Sequence, residues 1–571
     1  MPVYKAPLAD MRFLMHEVFS AGDLAKLPGY EEATIDVMDS ILEEAAKLCE
    51  EVLQPLNMSG DLEGCIFDGG KVRTPRGFKE AYTTFTQSGW MGLSCNKEWG
   101  GQGLPLLLNF LIDEMVCSAN LSFGMYPGLS HGAYNAIEIH GAPELKKAYQ
   151  PKITSGEWSG TMCLTEPHCG TDLGLIKTKA VPQADGSVSI TGTKIFISAG
   201  EHDLTSNIIH LVLAKLPDAP EGIRGISLFL VPKYLPDAEG NAGTRNKVSC
   251  AGIEHKMGIK ASATCVINFD GATGWLLGDK HKGMRAMFTM MNEARLAVGL
   301  QGLGIAEVAY QNGLNYARER LQGRALKGAA FPEKPADPII VHPDVRRMLL
   351  TMKSITEGAR ALAVWVGIKL DVETRTTDEK VKHEAGDLVA LLTPIMKSLM
   401  TDHGFDAANL AMQIHGGHGY IRDYGVEQFA RDARITQIYE FFHPVAEFLK
   451  VHANNPAYAD MLPGYAKTFQ RFQLITLLMA QRSFGNPEEA GAAATDYARC
   501  FALIALGYMW LLMVQASHKA LAAGDGDKTF YESKIRTAEF YFAKILPETA
   551  QRMLAIQAGA KPVMALAAEN F

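Results

Sequence analysis

From residue 31, the stretch EEATIDVMDSILEEAAKLCEEVLQPL places apolar side chains three and four residues apart with acids between them, the spacing of one helix face. The same spacing runs through LPLLLNFLIDEMVCSA (104–119) and HGAYNAIEIHGAPELKKAYQPKI (131–153). Near residue 158 the texture changes. GTMCLTE, GSVSITGTKIFISAG, NIIHLVLAKL, GISLFLVPK and TCVINFDG are short β-branched runs bounded by Gly, Asp or Asn, which predicts antiparallel strands. From GMRAMFTMMNEARLAVGLQGLG (283–304) onward the pattern is helical to the end. The predicted order is therefore helix, sheet, helix, with a further helical segment: 1–158, 159–283, 284–455 and 456–571. The Pro-, Gly- and Lys-rich stretch 323–343 reads as a loop between helices.

Composition narrows the function classes. The 571 residues, 47% apolar and 21% charged, describe a globular chain long enough for several domains. A net charge of -8 argues against a dedicated nucleic-acid or anionic-membrane binder. Nine cysteines without a C-x-x-C pair indicate neither a zinc ribbon nor a disulfide framework, so no metal is expected, and a reducing, cytoplasmic setting is. No run of 18 uncharged apolar residues occurs, so no membrane-spanning helix is expected. CFALIALGYMWLLMVQ (500–515) reads as a buried core helix instead.

Two motifs invite chemistry and do not carry it. GLSHG (128–132) matches a hydrolase elbow at Ser130 but sits in a helical block, without the strand that motif needs. GLQGLGIAE (299–307) resembles a dinucleotide fingerprint, but no strand precedes it, so Gly299 and Gly302 are read as allowing two helices to approach closely. CLTEPHCGTDLG (163–174) is more informative. A strand ends at Thr165-Glu166, and the loop of small and hydroxyl residues that follows leaves backbone N–H groups free for an anion or a polar ring. In the next strand, period-two spacing puts the ring of Phe196 and the hydroxyl of Ser198 on one face, which suits a flat heterocycle.

GWMGLSCNKEWGGQGLP (89–105), CLTEPHCGTD (163–172), TGTKIFISAG (191–200), MNEARLAVGLQGLGIAEVAY (291–310), YARERLQGR (316–324) and MQIHGGHGYIRDYGVEQFARDARITQIYE (412–440) together resemble the acyl-CoA dehydrogenase flavoproteins, in that order. With IEHKMGI (253–259) and the helical extension, the chain is similar to the larger members, which include 3-methylthiopropanoyl-CoA and bacterial fatty acyl-CoA dehydrogenases. The resemblance implies an α+β fold: an N-terminal helical domain, a central antiparallel β-domain, a C-terminal helical bundle and an extra C-terminal helical domain. It implies FAD held by Leu164, Thr165, Gly170 and Thr171, with Phe196 on the flavin ring and Ser198 at its N5. It also implies that Arg320, Gln413 and Gly417 contact the flavin of a neighbouring subunit, hence a homodimer or homotetramer. Thr171, Arg295 and Tyr439 fall at the acyl-CoA substrate, with Asn292 where the family usually has an aspartate, and electron-transfer flavoprotein is the implied acceptor. His415 and His418 are read as structural.

Glu440 falls at the family's catalytic base, set among Ile438, Tyr439, Phe441 and Phe442. Burial among apolar groups raises a carboxyl pKa toward that of a usable base. Some relatives carry the base immediately before Arg295, where this chain has Ala294. Glu293 is one position off, about 100° round a helix. After Glu440 the family's Gly-Thr is replaced by FFHPVAEF, which implies either a closed, non-catalytic flavoprotein or a segment omitted between Glu440 and Phe441; the latter is the expectation here. An acyl-CoA oxidase is the other alternative on the same fold.

Overall fold

The computed structural model describes residues 2–438, 461–524 and 526–565. It divides into two compact units, residues 41–297 and residues 1–40 with 298–571.

The first unit holds a seven-stranded sheet: β1 (Trp158–Cys163), β2 (Lys179–Pro182), β3 (Val188–Ser198), β4 (Asn207–Lys215), β5 (Ile226–Pro232), β6 (Val248–Ile253) and β7 (Thr264–Leu276). The order is β6-β7-β3-β2-β4-β1, and β5 pairs with both β7 and β4. Most pairings are antiparallel as expected, but β4 runs parallel to β1, from Trp158↔Asn207 to Cys163↔Val212, and to β2 at Lys179↔Lys215. Two separate cores explain why NIIHLVLAK reads as one apolar run. Ile209, Leu211 and Leu213 of β4 face one cluster, while Val212 and Ala214 face the other, so both faces are buried.

The first cluster includes Ala133, Tyr134 and Ile137 of α1 (Leu106–His140) and Met287 and Met290 of α2 (Gly283–Glu319). Close approach fixes α1 on β1: a Cβ at Gly160 would lie 2.3 Å from the Cβ of Ala133. The element α1 is two helices joined at a kink: Asn120 has extended dihedrals (φ -159°, ψ 91°) and the chain folds back there. The Asn120 side chain stabilises the break by accepting from Phe123 N at 3.0 Å.

The second unit is helical. It contains the remainder of α2, α3 (Pro343–Arg375), α4 (Glu379–His415), α5 (Leu462–Gly485), α6 (Glu488–Ala523), α7 (Lys528–Phe540) and α8 (Glu548–Ala558). Gly302 serves the close approach expected of it, since a Cβ there would lie 2.3 Å from Met400 O of α4. The apolar segment 500–515 is buried in α6, where Trp510 Nε1 donates to Ser354 O of α3 at 2.9 Å. By length and composition, Leu106–His140 and Glu488–Ala523 could each cross a membrane, which departs from the expectation of none. In both, 83% of the most apolar window is buried within the fold, as in a core helix.

A buried ionic network ties the N-terminal segment to this unit. Arg360 Nη1 meets Asp10 Oδ2 and Arg360 Nη2 meets Glu307 Oε2, each at 2.5 Å. Lys534 pairs with Asp10 and, at 3.1 Å, with Glu357, which also pairs with Lys353.

Candidate active site

The loop after β1 is anchored by its neighbour strand. Lys194, fully buried on β3, donates through Nζ to Leu164 O and to Glu166 Oε1, both at 2.9 Å. Ile195 N donates to Thr165 O at 2.9 Å. Glu166 also accepts from Thr178 Oγ1 (2.6 Å), Thr178 N (3.0 Å) and Lys177 N (2.7 Å). Burial alone would raise the Glu166 pKa; the Lys194 ammonium and these donors outweigh it and hold the carboxyl below its ordinary range. Further along, Asp172 accepts from Gly174 N at 3.0 Å and closes the turn. A Cβ on Gly170 would press on Thr165 Cγ2 at 3.3 Å, so the loop packs against its own start.

The Phe196 ring stands out from the sheet, 60% exposed. Its backbone is left-handed, φ 58°, as is that of Ala199, φ 54°. Opposite them the β3–β7 register slips between Cys265↔Ile197 and Ile267↔Lys194, so Ile195 and Phe196 form a bulge. A simple period of two therefore does not describe this end of β3. The bulge turns Phe196 outward while Ile197 stays buried, and Ser198 is half-buried beyond it. Left-handed non-glycine residues cost about 1–3 kcal/mol each and cluster at functional sites. The hydroxyls of Thr165, Thr171 and Ser198 have no hydrogen-bond partner among the described residues. An outward aromatic ring beside three uncommitted hydroxyls fits a flat, hydrogen-bonding ring cofactor such as a flavin.

In the other unit, Tyr316 stacks on His415 with ring centroids 4.2 Å apart, and its hydroxyl lies 2.9 Å from His418 Nδ1. His418 stacks in turn on Tyr424, 4.3 Å away. Both histidines are thus held in an aromatic stack. This stack docks the end of α2 beside the end of α4, bringing Arg320, one turn past Tyr316, to the same corner as Gln413 and Gly417. Arg320 is exposed, and its guanidinium makes no hydrogen bond among the described residues. Gln413 is exposed, and nothing lies within 4 Å of a Cβ built on Gly417. Arg295 Nη1 donates to Asn292 Oδ1 at 3.0 Å, so the asparagine keeps the contact without the charge. Tyr439, Glu440 and the step to Phe441 lie outside the described residues.

A polar cluster that sequence reasoning missed lies between α1 and α2. His131 Nδ1 donates to Glu293 Oε1, and Asn135 Nδ2 donates to Glu293 Oε2 at 2.6 Å. On its other side, His131 Nε2 meets Ser94 Oγ at 2.9 Å and the Asn109 amide at 3.2 Å. Burial would lower the His131 pKa, but the Glu293 carboxylate outweighs it and raises the imidazole well above its ordinary value. Asp113 completes the group. Burial first, and Glu293 as well, lift its carboxyl to about 7 against the pull of His131. Bound in this way, Glu293 does not project as a second base. Ser130, the apparent nucleophile, is fully buried; it donates to Tyr126 O at 3.0 Å and accepts from Gly160 N at 3.1 Å. The one hint of the cluster in the chain is a histidine inside the discounted GLSHG.

Four family descriptions cover the chain: acyl-CoA dehydrogenase N-terminal domain (38–157), middle domain (161–272) and C-terminal domain (281–440), and acetyl-CoA dehydrogenase C-terminal like (441–567). The chain belongs to the acyl-CoA dehydrogenase family. It is similar to the 3-methylmercaptopropionyl-CoA dehydrogenase of Ruegeria pomeroyi, 41% identical over 95% of this chain and 96% of that one. It is also similar to the broad-specificity linear acyl-CoA dehydrogenase of Mycobacterium tuberculosis, 31% identical over 95% and 96%. An acyl-CoA dehydrogenase from Bacillus anthracis, solved with FAD, shares the fold with a TM-score of 0.70 at 21% identity, covering 96% of this chain and 91% of that one. This acyl-CoA dehydrogenase is thus an FAD-dependent oxidoreductase with the family's three domains and the extra C-terminal domain.

Proposed function

We propose that this chain oxidises a saturated acyl-CoA thioester at its α,β-bond to the trans-2-enoyl-CoA. The observation carrying this is the bulge at Phe196, with the uncommitted hydroxyls of Thr165, Thr171 and Ser198 around it. Leu164, Thr165, Gly170 and Thr171 hold the flavin and its phosphates, Phe196 packs on the ring, and Ser198 offers its hydroxyl to N5. When bound, FAD supplies the acceptor for the β-hydride. Glu440 takes the α-proton, while its backbone N–H helps polarise the thioester oxygen. Arg295 and Tyr439 contact the substrate. Arg320 offers a planar fork of donors to a diphosphate. With Gln413 and Gly417 it serves the flavin of a neighbouring copy, which makes the enzyme a homodimer or homotetramer. Electron-transfer flavoprotein is the acceptor that fits the family.

The test is anaerobic. Purified enzyme is expected to be yellow, and acyl-CoA is expected to bleach the flavin. Glu440→Gln is expected to stay yellow and not bleach; normal bleaching by that variant would remove Glu440 from its role.

A further inference from the structure

The loop after β1 is held from behind by a charge that the chemistry above does not use. Lys194 is fully buried, and its ammonium donates both to Glu166 Oε1 and to Leu164 O. Pairing with Glu166 offsets the cost of burying the charge. The second donor lies instead on a backbone carbonyl of the loop. That oxygen and the Thr165 N–H belong to one peptide group, and in a trans peptide they point in opposite directions. With Lys194 on the oxygen, the N–H is turned away from the buried ammonium. It donates to nothing among the described residues, and neither do the N–H groups of Gly170 and Thr171. Ile195 N fixes the next carbonyl, Thr165 O, at 2.9 Å, and Phe196 follows at once in its left-handed conformation. Three consecutive residues of β3 therefore set two carbonyls of the loop and the outward ring. Glu166 is itself fixed by Lys177 N, Thr178 N and Thr178 Oγ1, so the ammonium rests against a carboxylate that cannot swing away.

Resting on the reading that this loop holds FAD, we propose that Lys194 is a positioning residue: it aims the Thr165 N–H at the flavin and, through its charge, raises the reduction potential of the bound ring, while Glu166 tempers that charge. Hydrogen bonds in series polarise one another, so a cation on the Leu164 carbonyl makes the N–H of the same peptide a stronger donor. Reduction adds electrons to the ring, and a stronger donor stabilises the electron-rich form more than the oxidised one. Removing one such fixed donor is worth about 100- to 1,000-fold, so weakening it should cost about tenfold.

The experiment measures the reduction potential of FAD bound to the full chain, by anaerobic titration against a reference dye, beside FAD affinity by fluorescence. The double variant Lys194→Met/Glu166→Gln removes both charges at similar volume. It is expected to shift the equilibrium toward oxidised flavin by about tenfold, a fall of about 30 mV for a two-electron couple. Glu166→Gln alone leaves the ammonium on Leu164 O and is expected to raise the potential. The opposite signs separate this role from a packing role, which would weaken FAD binding in both variants without driving the potential up in one and down in the other. An unchanged or raised potential in the double variant overturns the proposal, and so does an unchanged or lowered one in Glu166→Gln. If the double variant takes up no FAD, Glu166→Gln decides by the same criterion. A wild type that takes up no FAD strikes the dehydrogenase reading first, and this proposal with it.

Discussion

Two groups of buried charge, one in each unit, are built on opposite terms. Around Arg360, every charge has its counter-charge: Asp10, Glu307 and Glu357 face Arg360, Lys534 and Lys353 at ion-pair distance. Between α1 and α2, one cation, His131, is bonded to Glu293 and attracts a second carboxyl, that of Asp113, which accepts no hydrogen bond among the described residues. The outcomes differ in sign. Burial would raise the Asp10 pKa, but Lys534 and then Arg360 overcome it and hold Asp10 at about 2, while burial wins at Asp113 and lifts it to about 7. A fully paired, closed network joins elements distant in sequence. An under-paired one leaves a carboxyl that burial keeps protonated well above its ordinary range.

The largest expected effect comes from breaking the closed network. Asp10→Ala leaves Arg360 and Lys534 short of a counter-charge in a buried site, and should cost about 3–5 kcal/mol in urea unfolding. A loss below about 1 kcal/mol would mean that the network is not sealed from water.

The pH dependence separates the two groups next. In Asp10 the folded pKa lies below the ordinary 3.8, so its stabilisation is complete above that value and is lost as pH falls toward about 2. In Asp113 the order is reversed. Between 3.8 and about 7 the folded protein holds a proton that the unfolded chain has released, so stability falls as pH rises through this window and levels off above it. Asp113→Asn should flatten that slope and raise stability at pH 8. Unchanged unfolding curves from pH 5 to 8 would show that Asp113 is ionised throughout.

The smallest effect sharpens the contrast. Glu293→Gln should bring the His131 pKa back toward its ordinary value, seen in its imidazole NMR titration, and cost only about 1 kcal/mol because the site is half-open to water. Removing the left-handed strain by Ala199→Gly should raise stability by up to about 1 kcal/mol.

Much of the site could be read from the chain because it is local. Thr165, Gly170 and Thr171 share one loop, and Phe196 and Ser198 share one strand end. The bulge could not be read: it arises from register with Cys265 and Ile267 across the sheet. The parallel pairing of β1 with β4 was likewise hidden, because apolar runs bounded by turns do not reveal strand direction. Arg320, Gln413 and Gly417 were legible as motif positions, but the stack of Tyr316 on His415 that gathers them was not.

By itself the sequence determined the order of helical and strand-rich segments and the family, since each depends on neighbours a few residues apart. Tertiary structure alone decided which charges meet. Asn109 and His131 are 22 residues apart, a separation that a straight helix would stretch to roughly 33 Å. The break at Asn120 brings them to 3.2 Å, and Glu293 joins from 162 residues further along the chain. Helical periodicity reports which face a residue occupies, but it carries no information about what the fold places opposite that face.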